Sequence, residues 1–194
     1  MRDTDYIQEP ASIEAIRVRS RELEFTMASE PRTGALLKAL AATRPGGRLL
    51  ELGTGTGVGT AWLLAGMDTA ATLTSVDVDP TFQVVAREML GADPRLTLVV
   101  KDAAKFVRTQ PPASYDLIFA DAMAGKYEAL DETLALLKPG GLYIIDDLLP
   151  QPNWPAGHAA KVPALLNRLK ADECFALTTM EWASGVAIAV RKSE

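Results

Sequence analysis

Carboxylates recur at the ends of short apolar runs in this 194-residue chain: Asp77 after residues 73–76, Asp102 shortly after 96–100, Asp121 after 115–120, and Asp146 with Asp147 after 142–145. A further acid, Glu51, opens the stretch Glu51-Leu52-Gly53-Thr54-Gly55-Thr56-Gly57. Three alternating glycines let backbone pass close to a ligand with no side chain in between. The spacing is not the dinucleotide fingerprint GxGxxG, since the sixth position counted from Gly53 is Val58 and from Gly55 is Thr60. It is not the phosphate loop GxxxxGK either, because no lysine stands between Arg48 and Lys101. What remains, ExGxGxG, sets a carboxylate beside the turn, which repels a pyrophosphate and suits a ligand bearing an ammonium group. Asp77 lies 20 positions past Gly57, where nucleotide-binding logic puts an acid that accepts from ribose hydroxyls. Asp102, followed by the small Ala103, stands where a base's exocyclic amine can donate to it, with helix N-capping as the alternative role.

Elements that would position these residues follow from the pattern. Strand-like runs at 48–52, 73–76, 96–100, 115–120 and 142–145 alternate with helical segments, the first of them at 58–65. Asp79-Pro80 opens a helix, with Asp79 as N-cap and Pro80 in the first turn. Such alternation predicts an α/β fold, Rossmann-like and doubly wound, with a mostly parallel seven-stranded sheet and helices on both faces. Residues 175–182 and 186–190, joined by Ala183-Ser184-Gly185, predict a closing hairpin that adds an antiparallel strand. Ahead of this, Ile13, Ile16, Leu23 and Met27 predict a helix over 12–28, and Glu30 to Gly34 reads as a turn before a second helix through Leu36, Leu37 and Leu40. Residues 1–44 are therefore taken as N-terminal helices (a cap, a substrate cover or an oligomer contact) and 45–194 as the ligand-binding domain. In open α/β sheets ligands bind beyond the carboxyl ends of the strands, where the acids fall.

Composition narrows the class. The chain is 48% hydrophobic and 23% charged, near the globular average, with a net charge of −5. An acidic balance argues against a nucleic-acid partner. No apolar run is long enough to span a bilayer, and the polar N-terminus is unlike a targeting peptide. One cysteine, Cys174, excludes an internal disulfide and reads as an ordinary core thiol. A soluble cytoplasmic protein is the expectation.

Five segments, LLELGTGTGVGTAWL, LTSVDVDPTF, YDLIFADA, LLKPGGLYIIDD and EWASGVAIAVRK, together resemble the class I S-adenosylmethionine-dependent methyltransferases, and among them the small O-methyltransferases of the catechol and caffeoyl-CoA type. The likeness spans about residues 30 to 192. It implies S-adenosylmethionine as cofactor, held by Glu51, Gly53, Thr54, Gly55 and Gly57 at its methionine end, by Asp77 and Val78 at the ribose, and by Asp102 and Ala103 at the adenine, with Asp121 nearby. It also implies a small-molecule hydroxyl as methyl acceptor and allows a homodimer. In the metal-dependent branch an acid after the fourth strand and an Asp-Asn pair after the fifth hold Mg²⁺ or another divalent cation. The matching positions are Asp121, Asp146 and Asp147, the last an Asp in place of Asn. The family's catalytic lysine, three residues past the first acid, corresponds to Ala124, and Lys126 follows two residues later.

Proton-transfer candidates are thus Asp121, Lys126 and His158, the single histidine, which lies past a Pro-rich segment at 149–158 long enough to be a lid. A histidine just ahead of a helix is also an ordinary surface or capping residue. Trp62 and Trp182 read as packing residues. Three rival readings stay open: a metal-free methyltransferase using His158 or Lys126 as base, a non-catalytic cofactor-binding module, and a nicotinamide-dependent oxidoreductase.

Overall fold

A computed structural model describes residues 3–152 and 154–193. Asn153, inside the Pro-rich segment, and the extreme N-terminus lie outside the described residues. The elements are α1 (Ile13–Glu22), α2 (Pro31–Ala42), β1 (Arg48–Leu52), α3 (Val58–Gly66), β2 (Thr72–Asp77), α4 (Pro80–Leu90), β3 (Leu96–Val100), α5 (Ala103–Val107), β4 (Tyr115–Ala120), α6 (Met123–Lys126), α7 (Leu130–Ala135), β5 (Leu137–Ile145), α8 (His158–Lys170), β6 (Phe175–Met180) and β7 (Val186–Arg191).

Strand order is β3-β2-β1-β4-β5-β7-β6, with every pairing parallel except those of β7 to β5 and β6. The α/β doubly wound sheet and its antiparallel closing hairpin are thus as expected. Leu49 and Leu50 show why the strands hold two helical layers: their side chains point to opposite faces. Leu49, Leu73, Phe119 and Ile144 pack with α1, α2, α3 and α4. Leu50, Val76, Ile118 and Tyr143 pack with α5, α7 and α8. Trp62, fully buried, belongs to the first layer. Among the described residues no helix is long and apolar enough to cross a membrane.

Local chemistry explains where the elements start and stop. Asp79 caps α4 by accepting from the Thr81 N–H at 2.8 Å, with Pro80 at the first helical position. Strand β5 starts at Leu137, ahead of the expected run at 142–145, and three other details depart from the sequence reading. Helix α1 ends at Glu22 rather than running to residue 28. Glu24 takes a left-handed conformation (φ 53°), Phe25 N–H donates to Ser20 O at 2.9 Å and Glu24 N–H to Arg21 O at 3.1 Å. That is a Schellman closure with glutamate where glycine is usual, so the usual sequence signal is missing. Met27 consequently leaves the helix and is 63% exposed. Helix α2 begins at Pro31, inside the expected turn, because proline suits a first helical position. Cys174 is exposed, not core: it sits on the turn before β6, where its N–H donates to Asp172 Oδ1 at 3.1 Å.

Candidate active site

From β1 the chain steps outward to β2 and β3, then returns to β4 on the other side of β1. The order reverses between β1 and β4, and a crevice opens beyond the carboxyl ends of these two strands. Two cavities occupy it. The first, about 310 Å³, is lined by Gly53, Thr54, Gly55, Asp77, Val78 and Phe82 among others. The second, about 440 Å³, is lined by Lys126, Tyr127, Asp146, Asp147, Trp154 and His158 among others. Met27, Ala28, Ser29, Asp121 and Ala122 line both. Both volumes fall in the usual range for small-molecule sites.

The glycine-rich turn is held from three sides. Gly53 has φ 102°, and a Cβ there would stand 2.5 Å from the Asp121 carbonyl oxygen, so only glycine fits between β1 and β4. Gly55 N–H donates to Asp77 Oδ2 at 2.7 Å, while Asp77 Oδ1 accepts from Asp79 N–H at 2.9 Å. Thr54 Oγ1 pairs with Ser75 Oγ at 2.6 Å and accepts from Gln83 Nε2 at 3.1 Å. Asp77 therefore shapes the turn as well as facing the cavity, and each of its oxygens keeps a lone pair for a further donor.

Glu51 stands behind the turn and does not line the cavity. It is 1% exposed, and its Oε2 accepts from Ser75 Oγ at 2.5 Å and from Thr60 Oγ1. Oε1 is buried with no partner, and a Cβ added to the cavity-lining Gly59 would sit 2.5 Å from it. Burial pushes the Glu51 carboxyl up to about 7 despite the two hydroxyl donors. Asp102 and Ala103 lie outside both linings: Asp102 caps α5, accepting from Lys105 N–H at 2.8 Å.

Lys126, five residues past Asp121, reaches the second cavity because the chain kinks. Ala124 is extended (ψ 139°) and Gly125 left-handed (φ 87°), so α6 is a bent turn rather than a continuous helix. The kink is pinned by Gly125 N–H donating to Glu128 O at 2.7 Å and by the Tyr143 hydroxyl donating to Gly125 O. Lys126 is 5% exposed, and its Nζ donates to Asp146 O at 2.8 Å and lies 3.6 Å from Asp121 Oδ1. Asp121 Oδ2 also accepts from Ser29 Oγ at 3.2 Å. Burial drives the Asp121 carboxyl well above the usual carboxylate range, against the pull of the Lys126 ammonium. Asp146 is likewise raised by burial, with Ser184 opposing.

The structure brings the three aspartates to one cavity wall without making a cation cage of them. Asp146 Oδ1 turns to Ser184 Oγ (2.5 Å) and Asp147 N–H (2.9 Å), and an ammonium already sits beside Asp121. Among the described residues, no three His, Cys, Asp or Glu side chains are grouped so as to hold a metal ion. The donor set does not fit a divalent cation.

His158 begins α8 inside an aromatic group, its ring 4.4 Å from that of Trp154 and 5.2 Å, edge-on, from that of Tyr127. Its Nε2 lies 3.4 Å from Tyr127 Oη, and its Nδ1 is buried without a partner. Burial lowers its pKa, as do Lys126 and Lys161, so the neutral ring, the form that can accept a proton, predominates near neutral pH. Sequence reasoning allowed residues 1–44 to be a cover but did not single out the segment that roofs the cavities, residues 25–30. Phe25 packs against Phe82, ring centres 4.7 Å apart and planes tilted by 51°, and covers Gly55, while Thr26 and Glu30 line the second cavity. The one available signal was the turn at Glu30-Pro31, which marked a loop but not its direction.

Comparison with known proteins agrees with this geometry. A family profile described as a methyltransferase domain matches residues 50–148, from β1 to just past β5. A Mycolicibacterium vanbaalenii protein provisionally named an O-methyltransferase is 36% identical over 144 residues, covering 72% of this chain and 63% of its own length, so the chain spans less than two thirds of that relative. A Mycobacterium avium protein with the same provisional name is 33% identical over 195 residues, covering 95% of this chain and 87% of its own. The O-methyltransferase TomG from Streptomyces achromogenes, solved in complex with S-adenosylmethionine (SAM), shares the fold with a TM-score of 0.83 at 21% identity, covering 98% of this chain and 94% of its own. A glycine turn at the sheet's reversal point, an acid closing β2 and a profile match spanning both place the chain in a known group: it belongs to the methyltransferase-domain family.

Proposed function

We propose that the chain is a SAM-dependent O-methyltransferase whose first cavity takes the cofactor and whose second takes a small hydroxyl-bearing acceptor. One observation carries this reading: the two cavities share Met27, Ala28, Ser29, Asp121 and Ala122 as lining, so a group can pass from one to the other at that seam. The O-methyltransferase names of the relatives and the SAM bound to TomG support it.

The first cavity suits the cofactor because Gly53, Thr54 and Gly55 of the turn line it, so main chain forms the wall that an amino-acid end would approach. Asp77 offers acceptor lone pairs to sugar hydroxyls, and the N-terminus of the nine-residue α3 favours a carboxylate. Val78 lines this cavity next to Asp77, where a base would rest, with Asp102 and Ala103 outside the lining. When bound, the cofactor supplies a methyl group on a sulfonium sulfur; a C–O bond forms as the C–S bond breaks, and sulfur keeps the pair. The chain's part is alignment, exclusion of water by the 25–30 roof, and removal of the acceptor's proton. His158, held neutral, is the group suited to take that proton, and Trp154 and Tyr127 give a planar acceptor an apolar wall.

Calorimetry tests the proposal. SAM should bind one per chain, and Asp77→Ala should weaken it about tenfold or more, the loss expected when two hydrogen bonds to a carboxylate disappear. Absence of binding heat, or an unchanged affinity in Asp77→Ala, refutes it.

A further inference from the structure

Resting on that reading, we infer that the second cavity carries its own cation: the Lys126 ammonium fills the space between Asp121 and the Asp146 carbonyl that a divalent ion would need, and so keeps such an ion out. Three observations meet here. The Gly125 kink, pinned by Glu128 O and Tyr143 Oη, delivers the side chain inward. Nζ then donates to Asp146 O at 2.8 Å and stands 3.6 Å from Asp121 Oδ1, in a pocket where Lys126 is 5% exposed. Finally, Asp146 commits Oδ1 to Ser184 and the Asp147 N–H instead of to the cavity centre.

An ammonium has three N–H donors. One meets the Asp146 carbonyl and a second faces Asp121, so the third can serve an acceptor oxygen in the cavity that Lys126 lines. A dication placed beside it would meet the ammonium's positive charge and would have to displace it from Asp121 and the Asp146 carbonyl. The same arrangement gives Asp121 a counter-charge, which a buried carboxylate needs.

Manganese titration of the purified full chain, followed by electron paramagnetic resonance, tests the inference without any methyl acceptor. The wild type should leave Mn²⁺ in its free-ion signal. Lys126→Ala should bind one ion per chain at least tenfold more tightly than wild type, and Asp121→Asn added to Lys126→Ala should abolish that binding. Lys126→Gln, which keeps the stem, should behave like Lys126→Ala and serves where the smaller residue does not fold. One tight Mn²⁺ per wild-type chain, lost in Asp121→Asn, overturns the inference. So does an absence of binding in wild type and both lysine variants, since Lys126 would then not be what keeps the ion out. Neither result depends on SAM, so a failed cofactor titration and a failed manganese titration point to different errors.

Discussion

Glu51 should give the protein a pH-dependent stability that one substitution removes. The carboxyl is 1% exposed and its ordinary value of 4.5 is pushed up to about 7 by burial. The folded state therefore holds the Glu51 proton more tightly than the unfolded chain does. Stability from this group is complete below about pH 4.5 and declines as pH rises through about 7, where the folded protein must bury the charge. A shift of 2.5 pH units (7 minus 4.5) corresponds to about 3 kcal/mol. Because Asp121 and Asp146 are raised as well, wild-type stability alone would mix several groups. The informative quantity is the difference between wild type and Glu51→Gln in urea-unfolding free energy, followed from pH 5 to pH 8. Wild type should gain on the variant as pH falls, by about 3 kcal/mol across the range at most. A difference that stays flat, or that grows in the opposite sense, would show that Glu51 ionises normally and that its burial is relieved in solution.

Two further perturbations test the packing that builds the site. Gly125→Ala puts a Cβ 2.7 Å from Leu52 Cδ1 at a left-handed position; denaturant unfolding should show a loss of about 1–3 kcal/mol, with Lys126 more accessible to amine-modifying reagents. Gly34→Ala puts a Cβ 2.2 Å from Trp62 Nε1, between α2 and α3; overpacking should lower stability by about 1–3 kcal/mol and shift Trp fluorescence, and an unchanged melting curve would contradict the packing described.

The chain's local chemistry carried most of the fold. Runs such as Leu49-Leu50 and Ile144-Ile145 bury both faces of a strand, so they read as continuous apolar segments whatever surrounds them. Asp79-Pro80 sets its own helix start, and the glycines of the turn declare a close approach whose partner they do not name. The strand-end acids were legible for the same reason: each position depends on neighbours a few residues away. What neighbours far along the chain decide was not legible. Glu24 closes α1 with no glycine to mark it, and the residues after it become a roof over both cavities. Glu51 looked like a ligand contact from its place beside the turn, yet Gly59 stands between it and the cavity. Lys126 sits two positions past where the resemblance puts a lysine. It enters the site because the packing of Gly125 against Leu52 and the Tyr143 hydroxyl on its carbonyl favour a kink over a helical turn. Where a side chain points is a sum over contacts from remote segments, and spacing along one segment contains only part of that sum.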